Sequence, residues 1–109
     1  MAYTTRLEWE TIRSIDSATF TGSYQALGTP LAHPAYKCKL VNNSNVLVLI
    51  SNDGINDKDV APGNSFWLYD EGGGERGLFP ALPQNTQIYI KGSAGVGRVY
   101  LVSQYIIQL

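Results

Sequence analysis

Apolar and polar residues alternate most regularly just before the middle of the chain. Tyr36, Cys38 and Leu40 alternate with two lysines, and this period of two predicts a strand with one buried and one solvated face. Residues 42–45 are asparagine and serine, whose short polar side chains bond to their own backbone. We therefore expect a turn there, and a central hairpin in which the next strand returns beside the first.

Residues 46–50 form the longest apolar run, five residues of which three are β-branched. Such a run predicts a strand at the centre of the core with both faces covered. The core of a single domain covers only one of these faces, so the other, where Leu47 and Leu49 are candidates, needs loops or another subunit. We therefore expect a homo-oligomer, a ring or a trimer with exchanged terminal segments.

Short apolar runs recur between turn residues along the rest of the chain. They predict strands at 24–27, 65–69, 87–91 and 98–102. Ile88 and Ile90 alternate with polar neighbours and should face inward. Six to eight strands without a helix predict an all-β fold, an antiparallel β-sandwich of the jelly-roll or immunoglobulin-like kind.

Glycine and proline interrupt the pattern at three places. Residues 71–77 include four glycines and predict a mobile loop, and the prolines in 78–83 predict a connecting segment. The glycine-rich stretch 92–97 superficially resembles a phosphate-binding loop. Such loops open a helix, whereas this stretch precedes a strand, so we expect a hairpin turn.

The first nineteen residues fit neither a clean strand nor a clean helix. We expect them to form an arm with one strand, roughly from Thr11 to Thr19, outside a sandwich domain that spans 20–109. Trp9 has a glutamate on each side, and its large ring has to be buried either on its own domain or on a neighbouring protein. We expect the arm to be a docking element.

Composition narrows the classes of protein. The chain has 109 residues, 44% of them hydrophobic, which is enough for one domain with one core. Its eight basic residues, against nine acidic ones, are scattered along the chain, so no basic stripe for nucleic acid is visible. We expect no membrane span and no secretory signal, because no apolar run is long enough. Only 16% of residues are charged, which suggests that a partner covers part of the surface.

Candidate catalytic and metal-binding residues are few. His33 is the single histidine, no acidic residue lies within sixteen positions before it or eighteen after it, and we expect it to be a solvent-facing loop residue. Cys38 is the single cysteine and is expected to be a buried thiol. The oxygen-rich stretch 52–59 lacks the ligand spacing of a calcium loop. We therefore expect no enzymatic activity, no metal and no cofactor.

Exposed aromatic residues are the remaining candidates for a functional surface. They can stack on sugar rings, contact an apolar surface of another chain, or pack under a loop. The candidate interface residues are Trp9, Leu47, Leu49, Trp67, Tyr69, Tyr89 and Tyr100. An alternative function is a carbohydrate-binding module in which Trp67 and its tyrosine neighbours form the stacking platform.

Several segments follow one another in an order that resembles small structural proteins of tailed bacteriophages. They are 20–31 (FTGSYQALGTPL), 40–44 (LVNNS), 50–54 (ISNDG), 62–66 (PGNSF), 68–70 (LYD) and 90–95 (IKGSAG). The resemblance implies a β-sandwich component of the virion, made in the host cytoplasm, without enzymatic activity or cofactor and with other virion proteins as partners. The resemblance leaves open whether the protein is located on the tail, at the neck or on the capsid surface of the virion. The arm before Phe20 falls outside it.

Overall fold

Two antiparallel sheets form the described part of the chain, which in this computed structural model is residues 5–69 and 82–108, with side chains described for 7–65 and 82–107. The strands are β1 (Thr5–Trp9), β2 (Arg13–Asp16), β3 (Gln25–Ala26), β4 (Lys37–Ser44), β5 (Val48–Ser51), β6 (Asp59–Ala61), β7 (Ser65–Tyr69), β8 (Tyr89–Lys91) and β9 (Gly97–Gln108). A single 3₁₀ turn, Ser17–Thr19, follows β2 in this part of the chain.

The larger sheet has the order β1-β9-β4-β7, with β2 also paired to β9, and the smaller sheet has the order β3-β8-β5-β6. All strand pairs between these elements are antiparallel. The prediction of an all-β antiparallel sandwich is confirmed. The described residues contain nine strands rather than six to eight, because the N-terminal segment contributes two of them.

The core lies between the sheets and is built from residues that alternate along the strands. Cys38 and Leu40 of β4 are buried, as are Ile88 and Ile90 around β8, so these predictions of inward-facing residues are confirmed. Removing a leucine or isoleucine side chain from water contributes about 1.5–3 kcal/mol. Burial also raises the pKa of the Cys38 thiol to about 11, as expected for a packing residue.

The turn predicted at 42–45 begins later than expected. β4 continues through Asn42 to Ser44, and Asn42 is fully buried. Its side-chain amide donates hydrogen bonds to the carbonyl oxygens of Val46, at 2.8 Å, and Ala61, at 3.0 Å. The asparagine therefore satisfies the backbone of the following connection from inside the sandwich, which a propensity for turns does not reveal.

The predicted hairpins around residues 45 and 95 are wrong, because each connection joins the two sheets. β4 lies in the larger sheet and β5 in the smaller one, and β8 and β9 are divided in the same way. Turn residues indicate where the chain reverses but not whether the flanking strands bond to each other. At the second crossing Gly97 has φ +112°, and a Cβ atom there would overlap the carbonyl oxygen of Asn43.

The N-terminal segment is part of the larger sheet. β1 and β2 pair with the two halves of β9, and the strand expected over 11–19 is observed as Arg13–Asp16. The described residues of the segment predicted as an arm therefore form an edge of the sandwich. Their partner is β9, the last of the described strands and distant in sequence, so the local sequence pattern does not identify it. The predicted loop 71–77 and residues 78–81 of the predicted connection lie outside the described residues.

Candidate interaction surface

Three exposed apolar side chains lie on one face of β1 and β9. Leu7 pairs with Ile106 and Trp9 with Gln104, and directly paired residues of antiparallel strands share a face. The exposed fraction is 41% for Leu7, 64% for Trp9 and 38% for Ile106. We call these three residues the β1–β9 stripe. The ring of Trp9 is therefore not buried in the core of its own domain. The other possibility that the sequence left open, burial on a neighbouring protein, stays a prediction.

A β-bulge separates β1 from β2. Trp9 is opposite Gln104 and Arg13 is opposite Leu101, so three residues, 10–12, face two residues of β9. The backbone N–H of Glu10 donates to the carbonyl of Ser103 at 3.1 Å. The extra residue bends the edge strand locally, and the bulge coincides with the point where the side chain of Glu10 is buried.

Glu10 fastens the loop between β3 and β4 to the bulge. Its side chain is only 6% exposed and accepts hydrogen bonds from Arg13 Nη2 at 2.7 Å, from the Ala32 N–H at 3.2 Å and from the His33 N–H at 2.8 Å. Burial alone would raise the pKa of the Glu10 carboxyl. The hydrogen bonds from Arg13, Ala32 and His33 outweigh it, so the pKa lies below its ordinary value.

Arg13 and His33 complete this network. Arg13 is 8% exposed and donates through Nε to the Thr29 carbonyl at 2.7 Å. The His33 ring lies 3.0 Å from Glu10 through Nδ1 and stacks on Tyr105 with ring centroids 3.7 Å apart. In the described part of the chain, the side chain of His33 forms hydrogen bonds only with Glu10. Glu10 therefore orients the imidazole, but no nucleophilic side chain of that part is hydrogen-bonded to it.

The network differs from the expectation for His33 in one respect. Its side chain is 46% exposed, in agreement with a loop position, but an acidic residue is in contact with it. That residue, Glu10, lies twenty-three positions earlier in the chain. No local spacing signals a contact at this separation, and only the pairing of β1 and β2 with β9 brings the two together.

An open cleft of about 570 Å³ borders the network. Its walls include Trp9, Ile12, Thr29, His33 and Tyr105. The stripe and the cleft thus share Trp9, which stands at the boundary between them.

The outer face of the smaller sheet carries a second apolar area. Leu47 is 52% exposed and Leu49 is partly buried, whereas Val48 and Ile50 point into the core. The described residues therefore bury one face of this strand and leave Leu47 on the other largely open to solvent. Leu49 pairs with Lys91, at the margin of the area.

Tyr24, Asp57 and Lys91 form an ordered polar group at that margin. The Tyr24 hydroxyl donates to Asp57, whose carboxylate lies 3.1 Å from Lys91 Nζ, and Lys91 in turn lies 4.7 Å from the centre of the Tyr24 ring. Burial, followed by the hydrogen bond to Asp57, raises the pKa of Tyr24 to about 12. The second area is thus bordered by a neutral phenol and a paired lysine.

The remaining candidate residues, Tyr89, Tyr100, Trp67 and Tyr69, lie on different sheets. Tyr89 pairs with Ser51 in the smaller sheet, and Tyr100 lies on β9 in the larger sheet, both partly buried. Trp67 and Tyr69 lie on β7, and their side chains fall outside the described part. The seven candidate residues are divided between the two sheets, and the interface itself stays a prediction.

The acidic stretch after β5 serves the local backbone. Asp53 accepts hydrogen bonds from Ser51 Oγ at 2.6 Å and from the N–H groups of Ile55 and Asn56, and these bonds hold its pKa well below the ordinary value. Among the described residues no group of three or more His, Cys, Asp or Glu side chains is placed to hold a metal ion. No helix in that part of the chain is long and apolar enough to cross a membrane.

Comparison with known proteins adds no relative. The sequence matches no protein family model and no curated protein, and the fold matches no solved structure. The structure defines a small antiparallel β-sandwich with an apolar stripe on β1 and β9. The similarity to tailed-phage structural proteins stays an expectation from the sequence.

Proposed function

We propose that the protein is a non-enzymatic structural subunit of a tailed-bacteriophage virion, a tail or neck accessory or a capsid decoration protein. It acts through contacts with other virion proteins and with copies of itself. The observation that supports this proposal best is the β1–β9 stripe, in which a tryptophan at 64% exposure lies beside two further exposed apolar side chains. Contiguous apolar side chains on a rigid strand pair are typical of surfaces that bind another protein.

The energetics favour Trp9 as the anchor of such a contact. Tryptophan is enriched among the few interface residues that carry most of the binding energy, because its ring buries a large area with little loss of side-chain freedom. A well-packed tryptophan contributes about 3–5 kcal/mol relative to alanine. In the isolated subunit most of this ring faces water, so the contribution becomes available only when a partner covers it.

Trp9→Ala tests the proposal. We expect it to reduce incorporation of the protein into purified particles, measured by labelled antibody in negative-stain images. Because most of the Trp9 ring faces water in the isolated domain, its removal should cost little stability. The melting temperature should therefore change by no more than a few degrees, since about 1 kcal/mol shifts the melting temperature of a domain of this size by roughly 4–8 °C. Ile55→Ala, at a residue 78% exposed in the β5–β6 loop, is the matched control and should leave both quantities unchanged. Wild-type particles that carry no label would overturn the proposal.

A second candidate function, binding of a neutral glycan, is favoured by the cleft. Its walls combine the Trp9 ring with the stacked pair of His33 and Tyr105, and aromatic faces suit the apolar faces of sugar rings. The charges of Glu10 and Arg13 cancel within the network, which suits an uncharged ligand. Glycan-array binding that is lost in both Trp9→Ala and His33→Ala, with Trp67→Ala as a comparison, would favour this function. Loss with Trp67→Ala alone would instead place the platform on β7.

A further inference from the structure

β1 is the terminal strand of the larger sheet, and the hydrogen-bonding direction of its residues can be derived. The backbone N–H of Glu10 donates to the carbonyl of Ser103. On the other side of β9, the backbone N–H of Tyr36 donates to the carbonyl of Gln104. Backbone groups alternate in direction along a strand. Residues 6 and 8 therefore bond to β9, whereas Thr5, Leu7 and Trp9 direct their N–H and C=O groups away from it. In the described part of the chain no strand pairs with that side.

We propose that β1 pairs with β1 of a second copy of this chain, antiparallel, across a two-fold axis centred on Leu7. This register places Leu7 opposite Leu7 of the second copy, and Thr5 opposite Trp9 in both directions. All of these residues direct their backbone groups to the shared edge, so each pair exchanges two hydrogen bonds. A two-fold contact of this kind uses the same surface in both copies.

Charge supports the same register. The sequence of β1 is Thr-Arg-Leu-Glu-Trp, and a centre at Leu7 sets Arg6 of each copy opposite Glu8 of the other. These pairs are of the non-hydrogen-bonded type, in which opposite residues approach most closely, and opposite charges there are stabilising.

The neighbouring registers are disfavoured by the same charges. Sliding the pair so that it is centred on residue 6 would set Arg6 against Arg6, and centring it on residue 8 would set Glu8 against Glu8. Like charges directly opposite each other destabilise a strand pair. The alternating charges of this edge therefore select one register, where an edge of uniform sign would repel a second copy.

The pairing would join two larger sheets into one and place two copies of the β1–β9 stripe side by side on the same face. The bulge at 10–12 limits the contact to the five residues of β1. The inference deepens the proposed function, on which it rests for its biological role: the doubled stripe would be the surface presented to the rest of the particle.

Charge reversal in the full-length chain tests the register. We expect wild type to form a dimer in sedimentation experiments, and Glu8→Arg or Arg6→Glu to weaken self-association by about tenfold or more, because two opposite-charge pairs become like-charge pairs. Mixing the two single variants should restore a heterodimer, and the double variant Arg6→Glu/Glu8→Arg should restore the homodimer. Circular dichroism of each variant separates loss of pairing from loss of folding.

Cross-linking tests the position of the axis. Leu7→Cys should form an intermolecular disulfide on mild oxidation, since paired strands bring opposite Cα atoms within disulfide reach. Ile55→Cys, at an exposed residue of the β5–β6 loop, is the matched control and should not cross-link, whereas Leu47→Cys reports on the outer face of the smaller sheet. The native Cys38 is buried and serves as an internal background.

Three outcomes overturn the inference: a wild-type monomer at high concentration without cross-linking, a mixture of the two single variants that remains monomeric, or cross-linking through Leu47→Cys in place of Leu7→Cys. The last outcome, or a trimer, would point to the outer face of the smaller sheet. A dimer that is absent from particles would contradict the proposed function while leaving the pairing intact. Label on particles together with a purely monomeric wild type would support the proposed function and overturn the pairing.

Discussion

Glu10 shows how much a single residue determines at the bulge, and it leads to a prediction of pH dependence. Its pKa is lowered in the folded protein, so its contribution to stability is present above the unfolded pKa of about 4.3 and is lost as pH falls through the folded value. Glu10→Gln should lower the free energy of unfolding at pH 7 by about 1–3 kcal/mol. It should also flatten the fall in stability between about pH 5 and pH 3.

Urea unfolding of both proteins across this pH range measures the effect. Asp16→Asn is the control, because Asp16 is half-exposed and its ion pair with Arg98 is long, at 3.9 Å. Surface pairs of this kind contribute about 0–1 kcal/mol. Equal pH dependence in Glu10→Gln and wild type would contradict the role assigned to the carboxylate.

Asn42 and Asn43 are neighbours with opposite orientations, and they form a matched pair for a second prediction. Asn42→Ala removes the buried amide and leaves the carbonyls of Val46 and Ala61 without these donors, which should cost about 1–3 kcal/mol and lower the melting temperature by several degrees. Asn43→Ala, at an exposed position, should change stability by no more than about 0.5 kcal/mol. Similar melting temperatures for the two variants would show that the internal amide is dispensable.

At the scale of the strand, the sequence pattern predicts where strands lie far better than what they pair with. Cys38, Leu40, Ile88 and Ile90 are buried as the alternation predicts, because side-chain direction depends only on local geometry. Whether β4 bonds to β5 or crosses to the other sheet depends on the packing of the whole sandwich.

In the candidate site, too, local features can be predicted from the sequence and long-range contacts cannot. Trp9 stands out in the sequence as a large apolar ring between two glutamates, and it is exposed. The contact of Glu10 with His33 depends on the pairing of β1 and β2 with β9, which joins the two ends of the sequence. Residue types near His33 therefore carry no signal of it.

The crossing between β8 and β9 supplies a third prediction. Gly97 and Gly22 both have positive φ, at +112° and +86°, but only Gly97 has a neighbour that a Cβ atom would overlap. Gly22→Ala should cost about 1 kcal/mol from backbone strain alone, and Gly97→Ala should cost more, about 3 kcal/mol or above. Thermal melts of the two variants separate the cost of backbone strain from the cost of atomic overlap. Equal losses of stability in the two variants would show that the strand next to Gly97 moves to make room for the Cβ atom.

At the scale of the whole molecule, the two apolar areas lie on different sheets. The β1–β9 stripe belongs to the larger sheet, and Leu47 belongs to the outer face of the smaller one. A subunit with two contact areas on opposite sides can bind two neighbours at once, and closure of such contacts produces a ring. The ring or trimer expected from the apolar run at 46–50 stays a prediction, and it would need contacts through the outer face of the smaller sheet, because the two-fold contact through β1 joins only two copies.

The position of β9 has a consequence for how the chain reaches this structure. β1 and β2 have all their strand pairing with β9, the last of the described strands to leave the ribosome. During synthesis the residues of β1 and β2, Trp9 among them, remain without their native strand partner until β9 has emerged. Contacts this distant in sequence slow folding, and a nascent edge strand with an exposed tryptophan is a natural substrate for chaperones that hold apolar segments.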